Sequence, residues 1–358
     1  MEALPDHSFT LFTQPPRNFP WRAVGNSLSY RYELEERAAD FDLLLATSMV
    51  DLAGLKGLSP SVAQLPSVVY FHENQFAYPR LHTRDHSHLL LINLYTLLAA
   101  DQGLFNSEYN RGSYLQGLDR FLRLMPDMVP PGVVEEVAAK SQVIPVGMED
   151  HLFDDAADPL LPPPDDGALR ILWNHRWEHD KAPERFFEAL FQLQARGVPF
   201  RLAVVGQRFR SAPPIFARAR EVLKDRIDQW GYLEEEGDYL RLLDSCDLVV
   251  STALHEFQGL AVQEAVLRGC RPVLPDRLAY REFFADAYRY PSTPEDEGAE
   301  VDALVQTLEE LCASPELVEP GGSRRASSAD AGLQGLAWDV LAPRYAEVFR
   351  QTVAAKRP

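Results

Sequence analysis

What most constrains this chain is a rhythm that occurs twice and is broken once. Short apolar runs rich in β-branched residues alternate with stretches of helical periodicity over residues 1–153, and the alternation starts again at residue 169. Between them, residues 154–168 read DDAADPLLPPPDDGA, which has no period and is the composition of a linker. Strands that alternate with helices specify parallel sheets, because each crossover helix returns the chain to the same edge direction. A chain of 358 residues is also long for a single core. The expectation is therefore α/β: an amino-terminal Rossmann-like domain (1–153), a linker (154–168), a second Rossmann-like domain (169–334), and a last helix in 335–358 that packs at the domain interface.

In the first half, strands are expected at 7–13, 41–47, 67–71, 103–106 and 142–145, with helices over 26–40, 87–101 and 109–125. In the second half, strands are expected at 170–174, 200–205, 228–232, 248–251 and 272–274, with helices over 183–196, 235–245 and 259–268. Residues 315–334 read as a surface loop and 338–354 as the closing helix. The longest apolar run, 89–100, is too short to span a bilayer. No secretion or transit signature opens the chain, and Cys246, Cys270 and Cys312 lie far apart, as reduced thiols of a cytoplasmic protein do. A formal net charge of −18 disfavours non-specific binding to polyanions, so any nucleic-acid contact must be a local patch.

Doubly wound sheets bind ligands at the carboxyl ends of their strands, and the unusual residues fall in those loops. The first group is WNHRWEHDKAPE, 173–184, where Arg176 and Lys181 could converge on a diphosphate as a planar fork and a point charge. The second is STALHEFQGLAVQEAVLRGC, 251–270, where Gln258 and Gly259 stand at a helix mouth that favours anions. In it, Glu256 could accept from sugar hydroxyls and Glu264 could hold a ribose diol. The third is YFHENQFAYP, 70–79, in which His72, Glu73, Asn74 and Gln75 offer donors and acceptors suited to a polyol. Each group has a plainer reading: a salt-bridged loop for the first, a helix cap at Glu256 with a solvent-facing Glu264 for the second, a satisfied loop histidine for the third. His82, His86 and His88, like His175 and His179, match no ligand spacing, so no metal is expected. Phosphate-loop, dinucleotide and nucleophile-elbow motifs are absent, which removes support for kinase, dehydrogenase and hydrolase readings.

With these residues in hand, Glu256-x7-Glu264 resembles the corresponding element of the GT-B family 4 glycosyltransferases. More narrowly, FHENQ at 71–75, WNHRWEHDK at 173–181 and STALHEF at 251–257 resemble the tRNA-queuosine α-mannosyltransferase family, along nearly the whole chain from the Phe19-Pro-Trp-Arg22 element to the last helix. That resemblance implies a GT-B fold of two Rossmann-like domains facing a central cleft, and a metal-independent, retaining transfer of mannose from GDP-mannose to queuosine in a tRNA anticodon. It implies that Arg176 and Lys181, with Gln258 and Gly259, hold the diphosphate, and that Glu264 binds the ribose. Residues 229–233, with Gly231 and Tyr232, would lie near the base, and Glu256 would touch the sugar hydroxyls. His72 would stand beside the mannose, with Glu73, Asn74, Gln75, Trp21 and Arg22 on the acceptor side. Family members open with an apolar strand, a Gly-Gly loop and a helix; this chain starts at what resembles their second strand, so the first domain is expected to lack its first strand as given, either because the true start lies upstream or because the protein lacks that strand and loop. The Glu-Gly-Phe-Gly of the wider family reads Glu256-Phe257-Gln258-Gly259 here.

For the acceptor, basic residues gather in the first half at Arg17, Arg22 and Arg31, at Arg80, His82 and Arg84, and at Arg111, Arg120 and Arg123. Phe19, Trp21 and Tyr78 could stack on unpaired bases. Two other readings stay open at this point: the same transfer chemistry on a lipid, glycan or small-molecule acceptor, and a non-catalytic module that binds a nucleotide-sugar or RNA.

Overall fold

The computed structural model describes residues 3–15, 17–77, 87–154, 159–209, 212–314, 317 and 332–356. Tyr78, Arg80, His82, Arg84 and His86, and most of the loop expected at 315–334, lie outside the described residues. The chain divides into two compact units, Met1–Gly147 with Trp338–Pro358, and Met148–Ala337.

The first unit opens with α1 (Phe19–Arg37), then β1 (Leu44–Thr47), α2 (Leu52–Leu58), α3 (Pro60–Gln64) and β2 (Ser67–Phe71). It continues with α4 (Ser87–Ala99), β3 (Gln102–Phe105), α5 (Glu108–Arg123), α6 (Val133–Ala139) and β4 (Ser141–Val143). The four strands pair in parallel in chain order. β2 is buried along its whole length, whereas β1 is an edge on which Leu45 stands exposed. Aromatic packing of Phe71, Phe105 and Tyr114 fills the space between sheet and helices.

The strand expected at 7–13 does not form. The alternation is present, but among the described residues no ladder of hydrogen bonds joins this segment to a strand. Leu11 is exposed, and the segment is held by contacts such as Tyr30 donating to the Phe12 carbonyl and His7 edge-on to Phe349.

The second unit runs β5 (Leu169–Asn174), α7 (Pro183–Ala195), β6 (Phe200–Val205), α8 (Ile215–Val222), β7 (Ile227–Trp230) and α9 (Glu236–Asp244). Next come β8 (Leu248–Val250), α10 (Leu260–Leu267), β9 (Arg271–Pro275), α11 (Tyr280–Phe283), β10 (Arg289–Tyr290) and α12 (Glu297–Cys312). Its six strands are parallel in the order β10-β9-β8-β5-β6-β7, so the strand order reverses beside β5. That reversal is where a doubly wound sheet opens a crevice for a ligand. The described part of the expected linker packs on this unit: Leu160 and Leu161 donate to Arg241 and Ser245, and Arg170 reaches the Pro162 carbonyl.

The closing helix, α13 (Trp338–Lys356), belongs to the first unit. Its Tyr345 hydroxyl donates to the Pro145 carbonyl and its Lys356 to Asp101, and Trp338 lies over Gly147 so closely that a Cβ there would meet the indole. The three cysteines are free and buried, and no described helix is long and apolar enough to cross a membrane.

Candidate active site

In the second unit the loops after β5 and β8 are one stitched structure. Thr252 donates to the carbonyls of Lys181 and Ala182, and Leu254 to that of Asp180. Ala182 takes a left-handed φ of 45°, which turns the chain into α7 at Pro183. Lys181 points inward from this turn and is buried. Its ammonium donates to the His255 carbonyl at 2.8 Å and pairs with Glu256 Oε2 at 3.3 Å and Asp180 Oδ2 at 3.2 Å. Burial lowers the lysine's pKa, but the two carboxylates outweigh it and hold the ammonium above its ordinary value.

Glu256 is the centre of this network. Burial pushes its carboxyl up, yet Lys181 and then His175 outweigh that push and keep it below the usual carboxylate range. Its Oε1 accepts from the backbone N–H of Phe257 at 3.1 Å and of Gly259 at 3.2 Å, so it caps the amino end of α10. Gly259 has φ 83° and a Cβ there would sit 3.0 Å from Tyr280, so both the backbone and the crowding favour glycine. Gln258 is buried and tied to Gln263 in both directions.

Arg176 differs from Lys181. Its guanidinium is about half exposed and meets only Glu178, at 3.2 Å, among the ion pairs described. It is carried on a loop that Gly206 holds down. At φ 131°, Gly206 approaches the His175 carbonyl so closely that a Cβ would lie 2.0 Å from that oxygen. His175 itself is buried with Nε2 unpartnered, and burial, then Lys181, lower its pKa to about 4, so the ring is neutral near pH 7.

Glu264, on α10, accepts from the Tyr239 hydroxyl at 2.8 Å, and that hydroxyl in turn accepts from Asn174 at 3.1 Å. Burial raises the Glu264 pKa despite the tyrosine's hydrogen bond. It is therefore not a solvent-facing helical residue. Gly231, at φ 106°, ends β7 with its N–H on the Val204 carbonyl, and Tyr232 beside it is exposed. Tyr239 and Asn174 were not among the sequence-predicted residues. An aromatic in the otherwise charged first turns of 235–245 was the available signal for Tyr239.

In the first unit, His72 follows β2 at the surface with its ring 4.6 Å from Tyr70. Asn74 is fully buried. Its amide donates to Asn110 and Ser113 and its oxygen accepts from Ala77, so it is an internal tie and not an open polyol ligand. Gln75 is half-buried, its N–H on Asn93 and its amide near the Met49 sulfur, and Glu73 is half-buried with its carbonyl on Ser48. Trp21 and Arg22 lie on the first turn of α1, where Trp21 is 58% exposed. Among the described residues no group of three or more His, Cys, Asp or Glu could hold a metal ion.

Residues 1–148 match the family model described as tRNA-queuosine alpha-mannosyltransferase N-terminal, and residues 162–320 that of glycosyl transferases group 1. A tRNA-queuosine alpha-mannosyltransferase of Drosophila melanogaster is 31% identical over 363 residues, covering 99% of this chain and 92% of that protein. The chain belongs to the tRNA-queuosine alpha-mannosyltransferase family. It is a glycosyltransferase. Among solved structures, sucrose-phosphate synthase of Thermosynechococcus elongatus superposes with a TM-score of 0.68 at 17% identity, covering 97% of this chain and 82% of that one. Anabaena HepE, solved with UDP, gives 0.64 at 17% identity over 89% of this chain and 81% of that one. These are GT-B glycosyltransferases, and the α/β fold with parallel sheets is shared with them.

Proposed function

We propose that this chain transfers mannose from GDP-mannose, with retention and without a metal, to the cyclopentene diol of queuosine in a tRNA anticodon, and that it works in the cytoplasm. The observation that carries the proposal is likeness over nearly the full length to a protein of that name, so the acceptor-side and donor-side units are related together.

The geometry supports a division of labour among the donor-side residues. Arg176, half exposed on a loop held at both ends, is free to fork onto the diphosphate. Lys181 contributes a fixed positive charge beside Glu256, which lets that glutamate stay ionised while buried, and in this reading its remaining lone pairs accept from sugar hydroxyls. Glu264, oriented by Tyr239, accepts from the ribose diol. The helix mouth at Gln258 and Gly259, and the turn at Gly231 and Tyr232, complete the nucleotide site. His72, Glu73 and Gln75 serve the sugar and acceptor side.

In this reading the departing phosphate takes the acceptor hydroxyl's proton as the new glycosidic bond forms on the same face. Positioning and a preset positive field then supply most of the rate. The test is to incubate purified protein with GDP-mannose and queuosine-containing tRNA and weigh the released nucleoside. A gain of one hexose is expected. Transfer from UDP-glucose but not GDP-mannose, or transfer without tRNA, would reject the donor or the acceptor respectively.

A further inference from the structure

A cleft of 720 Å³ opens in the first unit beside the start of α1, lined by Gln14, Arg17, Trp21, Arg22, Tyr30 and Glu33 among others. Its most telling feature is the indole of Trp21. Gly25 lies one turn on, and a Cβ there would come within 3.0 Å of the ring. The missing side chain leaves room for the indole against the helix, and the residue lines the cleft while 58% exposed. A large aromatic held by a glycine and presented to water is a stacking platform, since a buried-core role would hide it. Two guanidiniums, Arg17 and Arg22, line it with one carboxylate, Glu33, so its lining carries a net positive charge in a chain of net −18. Aromatic face and paired cations together are the chemistry of a single-stranded nucleotide.

The cleft is tied to the carboxyl ends of β1 and β2. Asn26, one turn after Arg22, donates to the carbonyls of Arg22 and Met49 and accepts from the Asp51 N–H. Met49 takes the Gln75 amide, Ser48 donates to the Glu73 carbonyl, and Asn93 joins Ser48 to the Gln75 N–H. A continuous run of hydrogen bonds therefore connects the cleft wall to the loop bearing His72, within one unit and at one end of one sheet.

We infer that this cleft seats a single-stranded RNA nucleotide next to the modified one, with its base stacked on Trp21 and its phosphates held by Arg17 and Arg22. The inference rests on the tRNA reading above. Binding of a queuosine-free anticodon stem-loop RNA to the full chain, followed by fluorescence anisotropy with no sugar donor present, tests it apart from transfer. Trp21→Ala is expected to weaken binding about tenfold or more, the size of one lost base stack, and Trp21→Phe to restore most of it. Gly25→Ala, which displaces the indole without removing it, should fall between the two. Arg17→Ala with Arg22→Ala should lower the slope of log affinity against log salt by about 0.7 per lost phosphate contact. Thermal midpoints and GDP affinity should stay at wild-type values in all four. Wild-type affinity and salt slope in Trp21→Ala and the arginine pair overturn the cleft inference, as does a wild type that binds no RNA. If cleft variants lose RNA while the hexose gain is absent in wild type, the transfer reading fails alone. If the hexose gain is present and the variants bind normally, the cleft fails alone.

Discussion

The carboxyl ends of the strands are pinned by different chemistry in the two units. In the first unit the ties are neutral amides. Asn110 donates to the Phe71 carbonyl and to Asn106, Asn106 to the His72 carbonyl, Asn74 to Asn110, and Asn93 to the Ser48 carbonyl. In the second unit the ties are buried charges: Lys181 with Glu256 and Asp180, and Arg277 and Arg185 on Glu300. A satisfied amide is cheap to bury and does not titrate. A buried ion pair is costly to desolvate, contributes little net stability, and is strongly missed only when one partner goes. The second unit accepts that cost where an anionic leaving group must be met by a field already in place. The first, which faces hydroxyls in the proposed reaction, needs direction without charge.

The sharpest way to break that contrast is to remove the cation. Lys181→Ala leaves Glu256 and Asp180 buried beside each other and should destabilise the protein by about 3–5 kcal/mol, read by denaturant unfolding. A loss below about 1 kcal/mol would mean that the network is not what holds the loops after β5 and β8. Arg277 is a second probe of the same chemistry, since its guanidinium also donates to the carbonyls of Thr252 and Ala253 and so braces the loop that carries Glu256.

Next in size is a pH effect confined to the charged region. The folded pKa of His175 is lowered from 6.5 to about 4, so the fold favours the neutral ring. Its stability is complete above about pH 6.5 and is lost as pH falls toward 4, by an amount on the order of 3 kcal/mol for this group. His255, lowered to about 4 by burial and then by Lys181, acts in the same sense. Unfolding free energies at pH 7.5 and pH 5 should differ in that direction, and His175→Gln should flatten the slope. An unchanged slope in the variant would place the titration elsewhere.

The amide region supplies the counterpart. Asn110→Ala removes the donor to Phe71 and Asn106 and one acceptor of Asn74, and should cost about 1–3 kcal/mol. That loss should be the same at pH 7.5 and pH 5, because nothing in the tie ionises. A pH-dependent loss would merge the two regions into one electrostatic system and remove the distinction.

The contrast also explains what could be read before the structure. Strands 67–71 and 200–205 were legible to the residue, because a buried parallel strand reads as a nearly continuous apolar run, interrupted in these two at Ser67 and Arg201. Residues 7–13 misled because alternation reports a pleat and not a partner. The helix at Glu297–Cys312 was legible but unread: Val301, Leu304, Val305 and Leu308 mark its buried face and Asp296 caps it. In the candidate site, residue type and position pointed to Arg176, Lys181, Glu256 and Glu264, which the fold carries on the loops after β5 and β8 and on α10. Burial did not show, since whether an ammonium faces a ligand or an internal carboxylate depends on segments 75 residues apart. The same limit hid the link of Glu264 to Tyr239 and Asn174, and made Asn74 look like an open ligand.

The smallest expected effect on stability is the most informative about function. Arg176 is half exposed and meets a partly exposed Glu178, so Arg176→Ala should change unfolding by no more than about 0.5 kcal/mol. If the guanidinium makes charge-assisted bonds to the diphosphate, the same variant should weaken GDP binding by about 1.5–3 kcal/mol in calorimetry. Lys181→Ala should show the reverse balance, large in unfolding and entangled in binding, so only Arg176 separates ligand contact from architecture. Unchanged GDP affinity in Arg176→Ala, with the fold intact, would mean that the exposed cation is not the one that meets the donor. The buried lysine would then have to act through Glu256 alone.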